Sequence, residues 1–207
     1  MDIILENIGR RFNREWIFRS INYHFLPGNS YAILGPNGSG KSTLLQVLIG
    51  SLTASEGKIR YLVGQREVDV DTFFSSVVLA APYQELIEEF TLRELIDFHF
   101  SFKQIEDGLT PQLLIELLEL ERAADKELRY FSSGMKQRTK LALACCAQTP
   151  TLFLDEPTSN LDTQGITWYL NLIERFAKNK LLIICSNQEH EYEFCQHQIH
   201  IERYKTY

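Results

Sequence analysis

No stretch of this sequence approaches the roughly 20 uninterrupted apolar residues that a bilayer-spanning helix requires, so the chain by itself forms no helical channel. The opening residues, Met1-Asp2-Ile3-Ile4-Leu5-Glu6, lack a basic segment and a long apolar run. No secretory leader is expected from them, and the protein is expected to work in the cytoplasm. Basic charge is also scarce: 21 Lys and Arg against 27 Asp and Glu leave a net charge of −6. That balance argues against broad binding to a phosphate backbone, so no direct nucleic-acid partner is expected. Cysteine is sparse, and Cys145, Cys146, Cys185 and Cys195 show no C-x-x-C spacing. They read as reduced thiols, the adjacent pair as small hydrophobes in an apolar run. His190, Cys195, His197 and His200 hold soft and imidazole ligands close together but lack a second cluster. They are read as polar positions around a terminal strand expected from Gln198 to Ile201, not as a metal site. Internal repeats and low-complexity linkers are missing as well.

What is present is an ordinary globular composition, with 44% hydrophobic and 23% charged residues over 207 positions. One domain with a core that needs no disulfide follows from it. Apolar strands alternate with helical stretches, which predicts an α/β protein with a mostly parallel sheet. The first third reads as strands at Ile3 to Leu5, Trp16 to Phe18, Ile21 to Phe25, Tyr31 to Leu34 and Lys58 to Leu62. Turns are expected at Pro27-Gly28-Asn29 and Glu56-Gly57. A helix is expected from Gly40 to Ile49, ended by Gly50. From Phe90 to about Leu128, leucines and phenylalanines recur at spacings of three and four, with Gly108 and Pro111 dividing the run. That block predicts a helical subdomain inserted over about residues 85–130. Further on, Ser132-Ser133-Gly134 caps a helix from Met135 to Ala147. A buried strand is expected at Thr151 to Asp155, a helix from Asp162 to about Lys178, and a second buried strand at Leu181 to Cys185.

Gly35-Pro36-Asn37-Gly38-Ser39-Gly40-Lys41-Ser42 is a complete G-x-x-x-x-G-K-[ST] match, placed after a predicted strand and opening a predicted helix. The glycines let the backbone fold so that its N–H groups and the helix N-terminus face a phosphate. Lys41 is expected to reach the β and γ phosphates of ATP, and Ser42 to give a hydroxyl to Mg²⁺, with Thr43 next to it in the binding segment. A second element, Leu152-Phe153-Leu154-Asp155-Glu156, delivers two adjacent carboxylates to the C-terminal end of a strand, where α/β sheets place ligands. Paired with the phosphate loop, Asp155 suits Mg²⁺ and Glu156 suits a base that deprotonates the attacking water.

At these residues the chain resembles the nucleotide-binding cassette of ABC transporters, over essentially its whole length. The most specific stretch is Phe131-Ser132-Ser133-Gly134-Met135-Lys136-Gln137-Arg138, which is similar to the family's L-S-G-G-Q signature. The resemblance implies one ABC nucleotide-binding domain over residues 1–207: a phosphate-loop core with a mostly parallel sheet, an N-terminal antiparallel β subdomain and an inserted helical subdomain. It implies that two subunits close head to tail on ATP, so that Ser132, Ser133 and Gly134 of one meet the γ-phosphate held by the other. It places Phe12 as the aromatic that stacks on adenine, whose plainer reading is a core phenylalanine. Ser159-Asn160-Leu161-Asp162 matches the D-loop, with Asp162 also a helix cap. Ala81-Pro82-Tyr83-Gln84-Glu85 falls at the Q-loop, where Gln84 would sense Mg²⁺ and nucleotide and couple the site to the permease. Aligning on Pro82 puts Tyr83 there instead.

One position departs from the family pattern. Where a switch histidine is usual, the chain reads Cys185-Ser186-Asn187-Gln188, and a neutral carboxamide cannot carry a proton or a charge. With Lys41 and Glu156 present, Asn187 implies an ATPase that is retained but slow. The expected protein is an ATP-hydrolysing subunit that pairs with a second copy. It powers a separate integral membrane permease from the inner face of the cell membrane. The other readings are a soluble ABC ATPase with an assembly role and an ATP-gated binding module of very slow turnover. With 92 residues between Lys41 and Gly134, there is no room for the long coiled coil of repair-type relatives.

Overall fold

The computed structural model describes residues 1–205. In chain order the strands are β1 (Asp2–Phe12), β2 (Glu15–Phe25), β3 (Ser30–Leu34), β4 (Glu56–Val63), β5 (Arg66–Val68), β6 (Val77–Ala80), β7 (Thr151–Asp155), β8 (Leu181–Ser186) and β9 (His197–His200). The α-helices are α1 (Lys41–Ile49), α2 (Val70–Ser75), α3 (Leu92–Phe100), α4 (Pro111–Leu118), α5 (Ser133–Cys145) and α6 (Thr163–Phe176). The chain divides into two compact units. The first holds Met1–Val77, Pro150–Glu156 and the segment from Asn179, and the second holds Val78–Thr149 and Pro157–Lys178.

Within the first unit an antiparallel sheet runs in the order β2-β1-β4-β5, and β7-β8-β3-β9 lie side by side as a parallel sheet. The mixed α/β class expected from the alternating pattern is the class observed. The central parallel strands are buried along their whole length, from Leu152 to Asp155 and from Leu181 to Ser186. Continuous apolar runs are what a strand covered on both faces requires. Helix α1 buries Leu44, Leu45, Val47 and Leu48 and ends at Gly50, whose φ of 84° closes the helix with an N–H bond to the Val47 carbonyl. Tyr61 of β4 stacks on Phe73 of α2 with ring centroids 3.9 Å apart, and its hydroxyl donates to the Leu48 carbonyl. Burial pushes that phenol up to about 12.

Several local expectations need correction. Trp16 to Phe18 and Ile21 to Phe25 form one strand, because Ser20 takes a φ of 58° and the chain passes the polar break as a bulge. Glu56-Gly57 opens β4 and is not a turn; Gly57 has a φ of 84°, and a Cβ there would lie 2.3 Å from the Asn7 carbonyl oxygen. The last strand begins at His197 and ends at His200. β5, α2 and β6 are too short for their periodicity to show in the sequence.

In the second unit the helical block breaks into α3 and α4. Thr91 and Glu94 form a reciprocal capping box on α3, and Thr110 caps α4 ahead of Pro111. The expected insertion over about 85–130 lies within this unit, which also contains α5 and α6. α5 starts at Ser133, two residues before the expected Met135, with Ser132 as its cap. Arg138 ties three helices together: its guanidinium lies 4.7 Å from the Trp168 ring of α6 and donates to Glu119 after α4 at 2.9 Å. Trp168 in turn donates its indole N–H to the Leu117 carbonyl at 2.8 Å.

Candidate functional site

The first unit brings the phosphate loop, the paired acids and Asn187 to one end of the parallel sheet. β3 leads straight into Gly35, and α1 begins at Lys41 with Gly40 as its cap, at a φ of 104°. No side chain caps that end, so the first N–H groups of α1 have no side-chain partner there. A Cβ on Gly40 would lie 2.4 Å from Ile17 Cγ2, so glycine is required there for space as well as for φ. Pro36 and Ser39 close the loop through an N–H···O bond of 3.1 Å. The Lys41 side chain is buried and turns back over the loop, donating from Nζ to the carbonyls of Gly35 at 2.8 Å and Pro36 at 3.3 Å. Its ammonium is therefore held over the loop by two backbone carbonyls, as the charge-assisted donor nearest to where a phosphate would enter.

Asp155 closes β7 beside this loop. The parallel pairing sets Asp155 against Cys185, and the Glu156 N–H continues it to the Cys185 carbonyl at 2.9 Å. Burial raises the Asp155 carboxyl above its ordinary range. The Glu156 and Glu191 carboxylates add to this, while a Ser42 hydrogen bond and the Lys41 ammonium pull the other way. Its Oδ1 is buried without a hydrogen-bond partner. A buried acid with an orphaned oxygen beside a serine hydroxyl is a donor set that fits a hard divalent cation such as Mg²⁺. Glu156 itself has a φ of 43°, a left-handed backbone that costs about 1–2 kcal/mol for a residue with a Cβ.

A carboxyl raised on folding holds its proton longer in the folded than in the unfolded chain. Its stabilising contribution is therefore full at acid pH and is lost as pH rises through the folded value. Asp155→Asn removes that loss. The nucleotide-free variant is expected to melt about 3 °C higher at pH 8, corresponding to about 1 kcal/mol, with the gap closing near pH 4. Thermal unfolding at the two pH values measures this, and an unchanged or lower melting point at pH 8 would contradict the burial account.

Phe12 closes β1 and is 47% exposed, so it is not a core residue. Arg10 covers its ring at 4.5 Å and is held by the Thr53 carbonyl. A cavity of about 570 Å³ beside the phosphate loop is lined by Arg14, Trp16, Ile17, Gly38, Ser39 and Lys205 among others, and Phe12 is not in its wall.

The remaining predicted residues lie in the second unit. Ser132 accepts from the Met135 N–H at 3.2 Å, and a Cβ on Gly134 would come within 3.1 Å of the Asn160 carbonyl oxygen. The signature and D-loop segments are thus packed backbone to backbone. Asp162 caps α6 through the Gly165 N–H at 2.8 Å. Gln84 folds onto its own turn, its Oε1 accepting from the Ala81 N–H at 2.9 Å, while Tyr83 is exposed. Two further residues were not assigned from sequence. Buried Gln137 donates to the Pro157 carbonyl at 2.7 Å and ties α5 to the segment before Asp162; within the polar run from Lys136 to Lys140 nothing in the sequence marks it. Glu191 is fully buried and bonds the Ser186 hydroxyl, with nothing in its acidic neighbourhood to mark it. Among the described residues no group of three or more His, Cys, Asp or Glu is placed to hold a metal, and His197 instead stacks on Tyr31 at 4.8 Å.

A family model described as ABC transporter matches residues 18–159. The Nod factor export ATP-binding protein I of Rhizobium johnstonii is 30% identical over 198 residues, covering 92% of this chain and 63% of that protein. The sulfate/thiosulfate import ATP-binding protein of Synechocystis is 31% identical over 167 residues, covering 79% of this chain and 47% of that protein. The chain therefore spans about three fifths of the first relative's length and about half of the second's. Among solved structures, a dimeric bacterial ABC transporter cassette superposes with a TM-score of 0.80 at 21% identity, over 96% of this chain and 94% of that one. At that identity the likeness speaks for the fold.

Proposed function

We propose, from the premise that this chain belongs to the ABC transporter family, that it is the ATP-binding and ATP-hydrolysing subunit of a transporter and works on a separate membrane permease. The observation that carries this is the meeting of Lys41, Ser42, Asp155, Glu156 and Asn187 at the ends of three adjacent parallel strands. Lys41 and the N–H groups of the loop hold the triphosphate. Ser42 and Asp155 hold Mg²⁺, which when bound offsets phosphate charge. Glu156 accepts the proton of the attacking water, and Asn187 offers a neutral carboxamide. A second copy supplies Ser132, Ser133 and Gly134, so that ATP closes a homodimer.

The permease partner is supported by a groove in the second unit, a cavity of about 320 Å³ lined by Ile87, Phe98, Phe102, Lys103 and Lys140 among others. Phe102 is 73% exposed there, a large apolar side chain in water unless something covers it. Burial lowers the Lys103 and Lys140 ammonium groups, and Lys140 is held by the Ala81 and Pro82 carbonyls. Among the described residues no helix is long and apolar enough to cross a membrane. Attachment at the cytoplasmic face through the permease follows from the reading. The two relatives serve export in one case and import in the other, so direction is left with the permease.

Purification from native membranes tests the proposal. Recovery together with an integral membrane protein, with phosphate release from Mg·ATP, is the expected result. Recovery with a soluble partner alone would overturn the transport reading.

A further inference from the structure

The end of β8 and the phosphate loop are joined by a side-chain bond that the mechanism above does not use. β3 and β8 pair in parallel with Leu34 against Ser186, so Gly35 and Asn187 leave the sheet side by side. Two residues into the loop, Asn37 Oδ1 accepts from Asn187 Nδ2 at 3.1 Å. The backbone beneath Asn187 is already held. Ser186 Oγ accepts from the Gln188 N–H at 2.8 Å and bonds the fully buried Glu191 carboxylate. What stays free to rotate is the Asn187 side chain, which is exposed, and Asn37 is the residue that fixes it.

We propose that Asn37 is the positioning residue for Asn187, and that the two carboxamides act as one unit in ATP turnover. This rests on the ATPase reading above. An asparagine has two donor hydrogens and one acceptor oxygen. The bond to Asn37 uses one hydrogen, which turns the Asn187 oxygen to a set direction at the mouth of the loop. The Asn187 carboxamide turns about two side-chain bonds, and the bond to Asn37 holds it in one orientation. The bond lies between exposed groups, where it contributes little to stability. Its effect is geometric, and geometry is what turnover reads.

The test is a double-mutant cycle on steady-state turnover with Mg·ATP, using the full chain, with melting points recorded alongside. Asn37→Ala and Asn187→Ala are each expected to lower kcat about threefold to tenfold. KM should stay within twofold and the melting point unchanged. The double variant is expected to fall within twofold of Asn187→Ala alone, because residues that act as a unit are lost together. Multiplicative losses would overturn the pairing, as would an Asn37→Ala variant with unchanged kcat, or one whose loss falls on KM. In all these cases the parent protein turns over ATP, so only the pairing fails. A parent without turnover overturns the ATPase reading and the pairing with it.

Discussion

Replacing Glu156 by Gln is expected to lower ATP turnover by about 10²- to 10⁴-fold, the range that a positioned general base contributes, while nucleotide binding persists. The exchange keeps the shape of the side chain and removes only its ability to take a proton. The backbone reason for expecting a clean effect is local. The Glu156 N–H is held by the Cys185 carbonyl at 2.9 Å, and its φ of 43° aims the side chain away from the direction β7 would otherwise give it. Neither feature depends on the charge. ATP that binds but is not consumed should then hold the subunit as a dimer, measurable by light scattering with saturating Mg·ATP. Phosphate release within threefold of the parent would remove Glu156 from the role of base. A variant that is monomeric on ATP would contradict the shared site.

Lys41→Ala acts earlier, on binding itself. A buried ammonium that already bonds two carbonyls is expected to contribute about 3 kcal/mol to triphosphate binding, corresponding to a loss of roughly a hundredfold in affinity. The same substitution leaves the Gly35 and Pro36 carbonyls without their cation, so the empty loop should loosen as well. Titration of a fluorescent ATP analogue measures the first effect, and hydrogen exchange of the loop amides measures the second. An affinity within threefold of the parent would mean that the backbone amides alone hold the phosphates. Asp155→Asn, by contrast, is expected to leave the loop intact and stabilise the empty protein, so the three positions separate binding, metal and chemistry.

The order in which these residues became visible follows the range of the forces that place them. Gly35 to Ser42 could be read directly because the motif is local: its glycine conformations and its helix start depend on neighbours within a few residues. Asp155 and Glu156 were legible because an apolar run needs burial and its polar end must reach a surface. The short pieces between Arg66 and Ala80 were not, since elements of three to six residues carry too few apolar positions to show a period. Ser20 misled the reading of β2 for a related reason. A polar residue in an apolar run marks a break in pattern, and only the pairing with β1 decides between a turn and a bulge.

Sequence by itself therefore determined which residue types stand where: a glycine-rich loop with Lys41 and Ser42 that suits a phosphate, adjacent acids that suit a divalent cation and a proton, and a carboxamide where the family pattern has an imidazole. Tertiary structure decided the company these residues keep. Asn187 meets Asn37 across 150 residues, Gln137 reaches the Pro157 carbonyl, and Glu191 lies sealed under Ser186. Such pairings arise from strand register and helix packing, in which a one-residue slip would turn every side chain to the other face. No pattern within a short window encodes that register; it is set by the burial of the whole sheet at once.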